Sequence, residues 1–151
     1  MREILFRGQT RRYGEKTLNV RGDKMPSNWV YGGIFPSHNG SRAIIYQQEP
    51  TIEKFTVYAD TVGQYTGLRD KNGTPIFEGD ILKVERNAVV KYNEIKAAFV
   101  VEAYDGEEEY LGNAFDEEIE VIGNIHDSPE LLNLTGEDNG NAAQGGLLSA
   151  T

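Results

Sequence analysis

The chain has 151 residues, enough for one domain or two small units around a shared core. It has no cysteine, which excludes disulfides, thiolate metal sites and a cysteine nucleophile, and its net charge of −9 argues against phosphate binding as a general activity. Met1-Arg2-Glu3 opens without the apolar run of a signal peptide, and no stretch approaches the ~20 apolar residues that cross a bilayer, so a cytoplasmic protein without membrane association is expected.

In chain order, the hydrophobic pattern is short and mostly of period two, which predicts strands. Glu3–Arg7 is the first, and Thr17–Val20 a weaker second. Trp29–Phe35 is aromatic and β-branched, interrupted by Gly32-Gly33, a pair that marks a bulge or a close backbone approach. The turn Pro36–Ser41 leads to a strand at Arg42–Gln47, and Phe55–Tyr58 is short and extended.

The densest stretch is Gln64–Val84. Asp70-Lys71-Asn72-Gly73 has hairpin-turn chemistry, with Asp and Asn bonding their own backbone and Gly supplying positive φ. Pro75 restricts the chain leaving that turn, and Glu78-Gly79-Asp80 is a second bend delivering a strand over Ile81–Glu85. Its alternation places Leu82 and Val84 on the core side, with Ile81 covering the start of the strand.

Further strands are predicted at Ala88–Tyr92, Ala98–Ala103 and Glu118–Ile122, with an acidic loop at Asp105–Glu109. Ser128-Pro129-Glu130 has the signature of a helix start, for one or two turns. Residues 135–151 are rich in Gly, Asn and Ala and are expected to be a floppy tail. Many short strands with regular turn signals and almost no helix predict an all-β barrel or sandwich.

Four segments carry a resemblance. Met1–Gly8, Asn28-Trp29-Val30-Tyr31-Gly32, the run Thr61–Gly73 with Ile76–Ile81, and Val121–Leu132 occur in the order found in the YopX family of phage and prophage proteins of Gram-positive bacteria, which this chain resembles over residues 1–132. The resemblance implies a small, mainly β protein, with an SH3-like barrel in its second half, additional N-terminal strands and one short C-terminal helical turn. It implies a domain over 1–134, subdivided at 63/64, with the tail outside it. The family supplies no catalytic residues to carry over, and an oligomer is in keeping with it.

Charge is uneven. Residues 1–75 hold eleven Lys/Arg against seven Asp/Glu, and residues 76–151 hold four against seventeen, so the halves can attract each other within or between subunits. The run Gln64, Tyr65, Thr66, Gly67, Asp70, Gly73, Glu78, Gly79, Asp80 is read as a structural turn signature. Glu78 and Asp80 share a face in a straight strand, as an acid–base pair does, but at this bend a backbone-supporting role is expected. His38 is read as a solvated turn residue, and His126-Asp127 lacks the further ligands a metal site needs. Glu107–Glu109 and Asp116–Glu118 lack the spacing of a calcium loop and are read as solvated faces. No catalytic residue, metal or cofactor is assigned.

Most aromatics of the first half are expected to fill the core. The alternative is a binding face of Arg11, Arg12, Trp29 and Tyr31, stacking single-stranded nucleic acid or docking a protein. The expected function is that of a non-enzymatic accessory protein working through contacts with a phage or host protein and through self-association, with nucleic-acid binding second.

Overall fold

The computed structural model describes residues 1–10, 28–36, 40–48 and 51–133. The expected strand Thr17–Val20, Arg11, Arg12, His38 and the tail 135–151 lie outside them. The fold is mainly β, built from two antiparallel sheets, and the chain divides into two compact units between Tyr65 and Thr66.

The first unit contains β1 (Phe6–Gln9), β2 (Trp29–Pro36), β3 (Arg42–Gln47), β4 (Glu53–Tyr58), a 3-10 turn at Ala59–Thr61 and the start of β5 (Gly63–Arg69). Its strands lie in the order β4-β3-β2-β1-β5. β2 serves two partners. Trp29–Gly32 pair with β1, and Gly33–Pro36 pair with β3. The handover falls on the glycine pair, where a Cβ on Gly32 would stand 1.8 Å from the Tyr46 carbonyl oxygen. Only glycine admits that approach. Alternation then sorts the side chains. Val30, Ala43, Ile45 and Val57 form the core, with Phe6, Ile34, Phe55 and Val62 against it.

The first strand sits later than the pattern at Glu3–Arg7 indicates. β1 carries two buried polar residues, Arg7 and Gln9. The Gln9 backbone N–H donates to Thr61 Oγ1 (2.8 Å), and the Arg7 guanidinium stacks 4.5 Å from the centre of the Trp29 ring. Long-range pairing outweighs the local hydrophobic pattern here. Gln64–Gly67, grouped above with turn residues, lies inside strand β5.

The second unit contains the rest of β5, then β6 (Pro75–Phe77), β7 (Asp80–Lys83), β8 (Ala88–Asn93), β9 (Ala98–Ala103), β10 (Glu108–Tyr110), the one-turn helix α1 (Leu111–Ala114), β11 (Glu120–Asn124) and a 3-10 turn at Pro129–Asn133. Its five-stranded sheet has the order β10-β9-β8-β7-β11, and among the described residues it does not close into a barrel. Ile76, Leu82, Ala88, Val90, Val101, Leu111 and Ile119 form its core. Ile81, placed above at the strand start as a cover, is as fully buried as Leu82. β7 lies between β8 and β11, and its neighbouring residues Ile81 and Leu82, on opposite faces, are both buried. The final 3-10 turn is held by Asn87, a fully buried amide whose Nδ2 donates to the Leu131 carbonyl at 2.8 Å. Helix α1 has no side-chain cap, so no capping signal in the sequence marks it.

Candidate functional site

The exposed aromatics among the first unit's described residues lie on the outer face of β2 and β3. Residues paired across strands share a face. Gly33 pairs with Tyr46 and Phe35 with Ile44, and Tyr31 has the same parity as Gly33. These side chains therefore point away from the Val30–Ile45 core. Tyr31 is 41% exposed, Tyr46 42% and Phe35 57%. The expectation that first-half aromatics fill the core fails for these three and holds for Tyr65 and Phe77, which are buried. Tyr31 and Tyr46 flank an open groove of about 440 Å³ whose walls include Ile4, Leu5 and Gln47. Gly33 lines it, and a Cβ there would meet nothing within 4 Å. The groove lining carries no charged side chain, so it suits apolar or aromatic groups.

Of the candidate binding face, Trp29 is half-buried beneath Arg7, and Tyr31 is exposed beside the groove. Arg42 lies over the Tyr58 ring at 3.9 Å on the same outer face of β3 and β4. Exposed aromatics and core aromatics look alike in composition. The parity of Tyr31 and Phe35 against Val30 and Ile34 is the signal that separates them.

The central run is placed at two bends of the second unit. The Asp70 N–H donates to the Thr74 carbonyl (2.9 Å) and the Gly73 N–H to the Asp70 carbonyl (3.0 Å), closing the β5–β6 turn with Gly73 at φ +81°. The Asp70 carboxylate accepts three N–H groups, from Asn72 and Thr74 on Oδ1 (2.9 Å each) and from Val121 on Oδ2 (3.0 Å). The turn is thereby tied to β11. Burial acts to raise the Asp70 pKa, but the backbone donors, Val121 foremost, outweigh it and hold the carboxyl below its ordinary value. At the second bend Gly79 has φ +89°, and the buried Asp80 carboxylate accepts the Phe77 N–H at 2.8 Å. Glu78 is half-buried beside it.

The acidic clusters are less free than the solvated-face reading holds. Asp105 accepts a two-pronged bond from Arg86 (2.7 and 3.0 Å), and Glu107 takes the same guanidinium at 2.8 Å. The Arg86 bond lowers the Asp105 pKa, and Lys96, 2.7 Å from Glu108, lowers that of Glu108. Asp116 accepts the Glu118 N–H within its own turn. Asn124 Oδ1 takes the N–H groups of His126 and Asp127, while its Nδ2 donates to Asp127 Oδ2, so this segment is a side-chain-locked turn. Among the described residues no three His, Asp or Glu side chains converge as a metal site.

A family model described as YopX protein matches residues 23–133. The chain belongs to the YopX family. This YopX family chain is also similar to the crystal structure of protein EF1440 from Enterococcus faecalis, at 24% identity over 87% of this chain and 99% of that one, with a TM-score of 0.47. No curated protein matches it. No described helix is long and apolar enough to cross a membrane.

Proposed function

We propose that this YopX family chain is a phage or prophage accessory protein of the host cytoplasm that acts through protein–protein contacts, self-association included. The observation that carries the reading is the outer face of β2 and β3, where Tyr31, Phe35 and Tyr46 stand exposed beside an uncharged groove. Tyrosine supplies a large contact area at low cost in side-chain entropy, and contiguous exposed aromatics on a rigid sheet are the material of interface anchors. In the same reading the second unit's five curled strands are an SH3-like barrel left open between β10 and β11, a frame that holds its own shape while the first unit presents the contact surface.

Nucleic-acid binding ranks below this. Of the described cations beside the aromatic strands, Arg7 is only 6% exposed, and its guanidinium is stacked on Trp29 rather than presented to phosphate. The decisive comparison is between the wild type and a Tyr31→Ser/Tyr46→Ser variant. Both are assayed by sedimentation and by affinity capture from lysogenic cells. The expected result is an unchanged fold with loss of a specifically captured partner. A wild-type monomer at tens of micromolar that captures the same proteins as the variant overturns the proposal.

A further inference from the structure

The self-association in the preceding proposal has no stated surface, and the structure offers one that is distinct from the aromatic groove. β4 ends its sheet, and no described strand pairs with its outer side. An edge strand leaves alternate N–H and C=O groups directed outward, and natural proteins protect such edges with proline, a bulge, charged side chains (lysine above all) or a very short strand. β4 has no proline and no bulge over its paired length, and its charges are Lys54 on the outer face and Glu53 at the strand end. Its six residues Glu53-Lys54-Phe55-Thr56-Val57-Tyr58 pair with β3 in unbroken register, without proline. Its core-side positions are Phe55 and Val57, with Glu53 exposed at the strand end.

We propose that β4 pairs antiparallel with β4 of a second copy, about a two-fold axis through Thr56. Face matching and the side chains it opposes favour this register. In a two-fold antiparallel pair the residue numbers of opposed positions have a constant sum, and opposed side chains must share a face. An axis at Thr56 sets Phe55 against Val57 on the core side of both copies. It sets Lys54 against Tyr58 and Thr56 against itself on the outer side. An axis at Phe55 instead sets Glu53 against Val57, a carboxylate opposite a core residue. The Thr56 register opposes no like charges. It also brings a cation to the Tyr58 ring from the side opposite its neighbour in β3, Arg42, which already lies over that ring at 3.9 Å. Thr–Thr and aromatic–β-branched pairs are favourable cross-strand combinations. The partner is therefore a copy of this chain, not an arbitrary strand, because the segment is complementary to itself.

The inference rests on the self-association reading, and the test separates the two. The chain has no cysteine, so a single introduced one reports alone. Opposed residues in an antiparallel pair have Cα atoms about 4.5–5.5 Å apart, within disulfide reach. Thr56→Cys in the full chain is expected to form a covalent dimer under mild oxidation. Glu53→Cys is not, since six residues of strand, about 20 Å, separate the two thiols in this register. Thr56→Lys opposes two like charges on the axis at an exposed position. It is expected to weaken the dimer at least tenfold in sedimentation equilibrium while leaving the circular-dichroism melt unchanged. A dimer that neither cross-links through position 56 nor weakens in Thr56→Lys overturns the β4 pairing and leaves self-association standing. A wild-type monomer at tens of micromolar overturns both.

Discussion

The two units handle exposed apolar groups and charge in opposite ways. The first surrounds a core of Val30, Ala43, Ile45 and Val57, buries the polar Arg7, Gln9 and Thr61, and turns Tyr31, Phe35 and Tyr46 to solvent along one face. The second has a larger core of seven buried apolar residues. Two of its exposed aromatics are engaged singly, Tyr92 edge-on to Phe99 and Tyr110 beneath Lys96, while Ile95 and Tyr104 are also exposed. Its carboxylates are used locally, Asp70 and Asp80 on backbone N–H groups, Asp105, Glu107 and Glu108 on cations. The contrast teaches that the second unit turns part of its acidity to its own architecture. The strip of exposed aromatics along one strand face belongs to the first unit.

The sharpest way to break the contrast is at Gly32. Gly32→Ala places a methyl group against the Tyr46 carbonyl, and the obstacle is backbone that cannot rotate aside. A loss of about 3 kcal/mol is expected, at the upper end of overpacking effects. It should be read as loss of the near-ultraviolet signal of the first unit's aromatics in denaturant titration. A variant as stable as the wild type means that β2 does not pass from β1 to β3 as described.

Asp70 tests the second unit. Its carboxylate is held ionised by three N–H donors, with its pKa lowered despite burial. The stabilisation is therefore fully present above the ordinary carboxylate range and is lost as pH falls below about 4, through the ordinary carboxylate value and then the lowered folded one. Asp70→Asn turns one acceptor into a donor facing an N–H and is expected to cost about 2 kcal/mol near neutral pH. The melting-temperature gap between wild type and variant should narrow steadily as pH is brought down from 6 to 3. A gap independent of pH means the carboxylate charge plays no part.

Much of the fold is legible from pattern alone, for a physical reason. β3 falls where the run Arg42–Gln47 places it, because Ala43 and Ile45 are buried on one face and the period-two signal survives, while β9 falls at Ala98–Ala103 as a short apolar run with the adjacent Val100 and Val101 both buried. β1 is displaced because its contacts are with partners 22 and 52 residues away, the Trp29 ring under Arg7 and the Thr61 hydroxyl that accepts the Gln9 backbone N–H, which no local window contains. Ile81 is misplaced because two-sided burial erases alternation. The candidate surface is half legible. Tyr31 and Phe35 share a parity that can be read along one strand, whereas Tyr46 joins them only through the β2–β3 register.

A smaller effect is expected at Gly73. It sits at φ +81°, and a Cβ there would meet nothing within 4 Å, so substitution brings strain without a clash. Gly73→Val isolates the conformational term, and about 1–2 kcal/mol is expected, measured as a midpoint shift in urea at constant slope. A loss above that of Gly32→Ala reverses the order of the two units' constraints.

The smallest effect falls on the most conspicuous polar feature. Arg86 grips Asp105 and Glu107 at 2.7 and 2.8 Å. All three side chains of this cluster are about a third exposed or more. Water and salt screen such a pair, and ordering the long side chains opposes the attraction. Arg86→Gln is therefore expected to leave the melting temperature unchanged at physiological salt, with a difference from wild type emerging only at low ionic strength. A large salt-independent loss would show that the cluster stabilises the fold as the buried carboxylates do. It would then belong with Asp70 and Asp80, and the second unit's surface would be part of its frame.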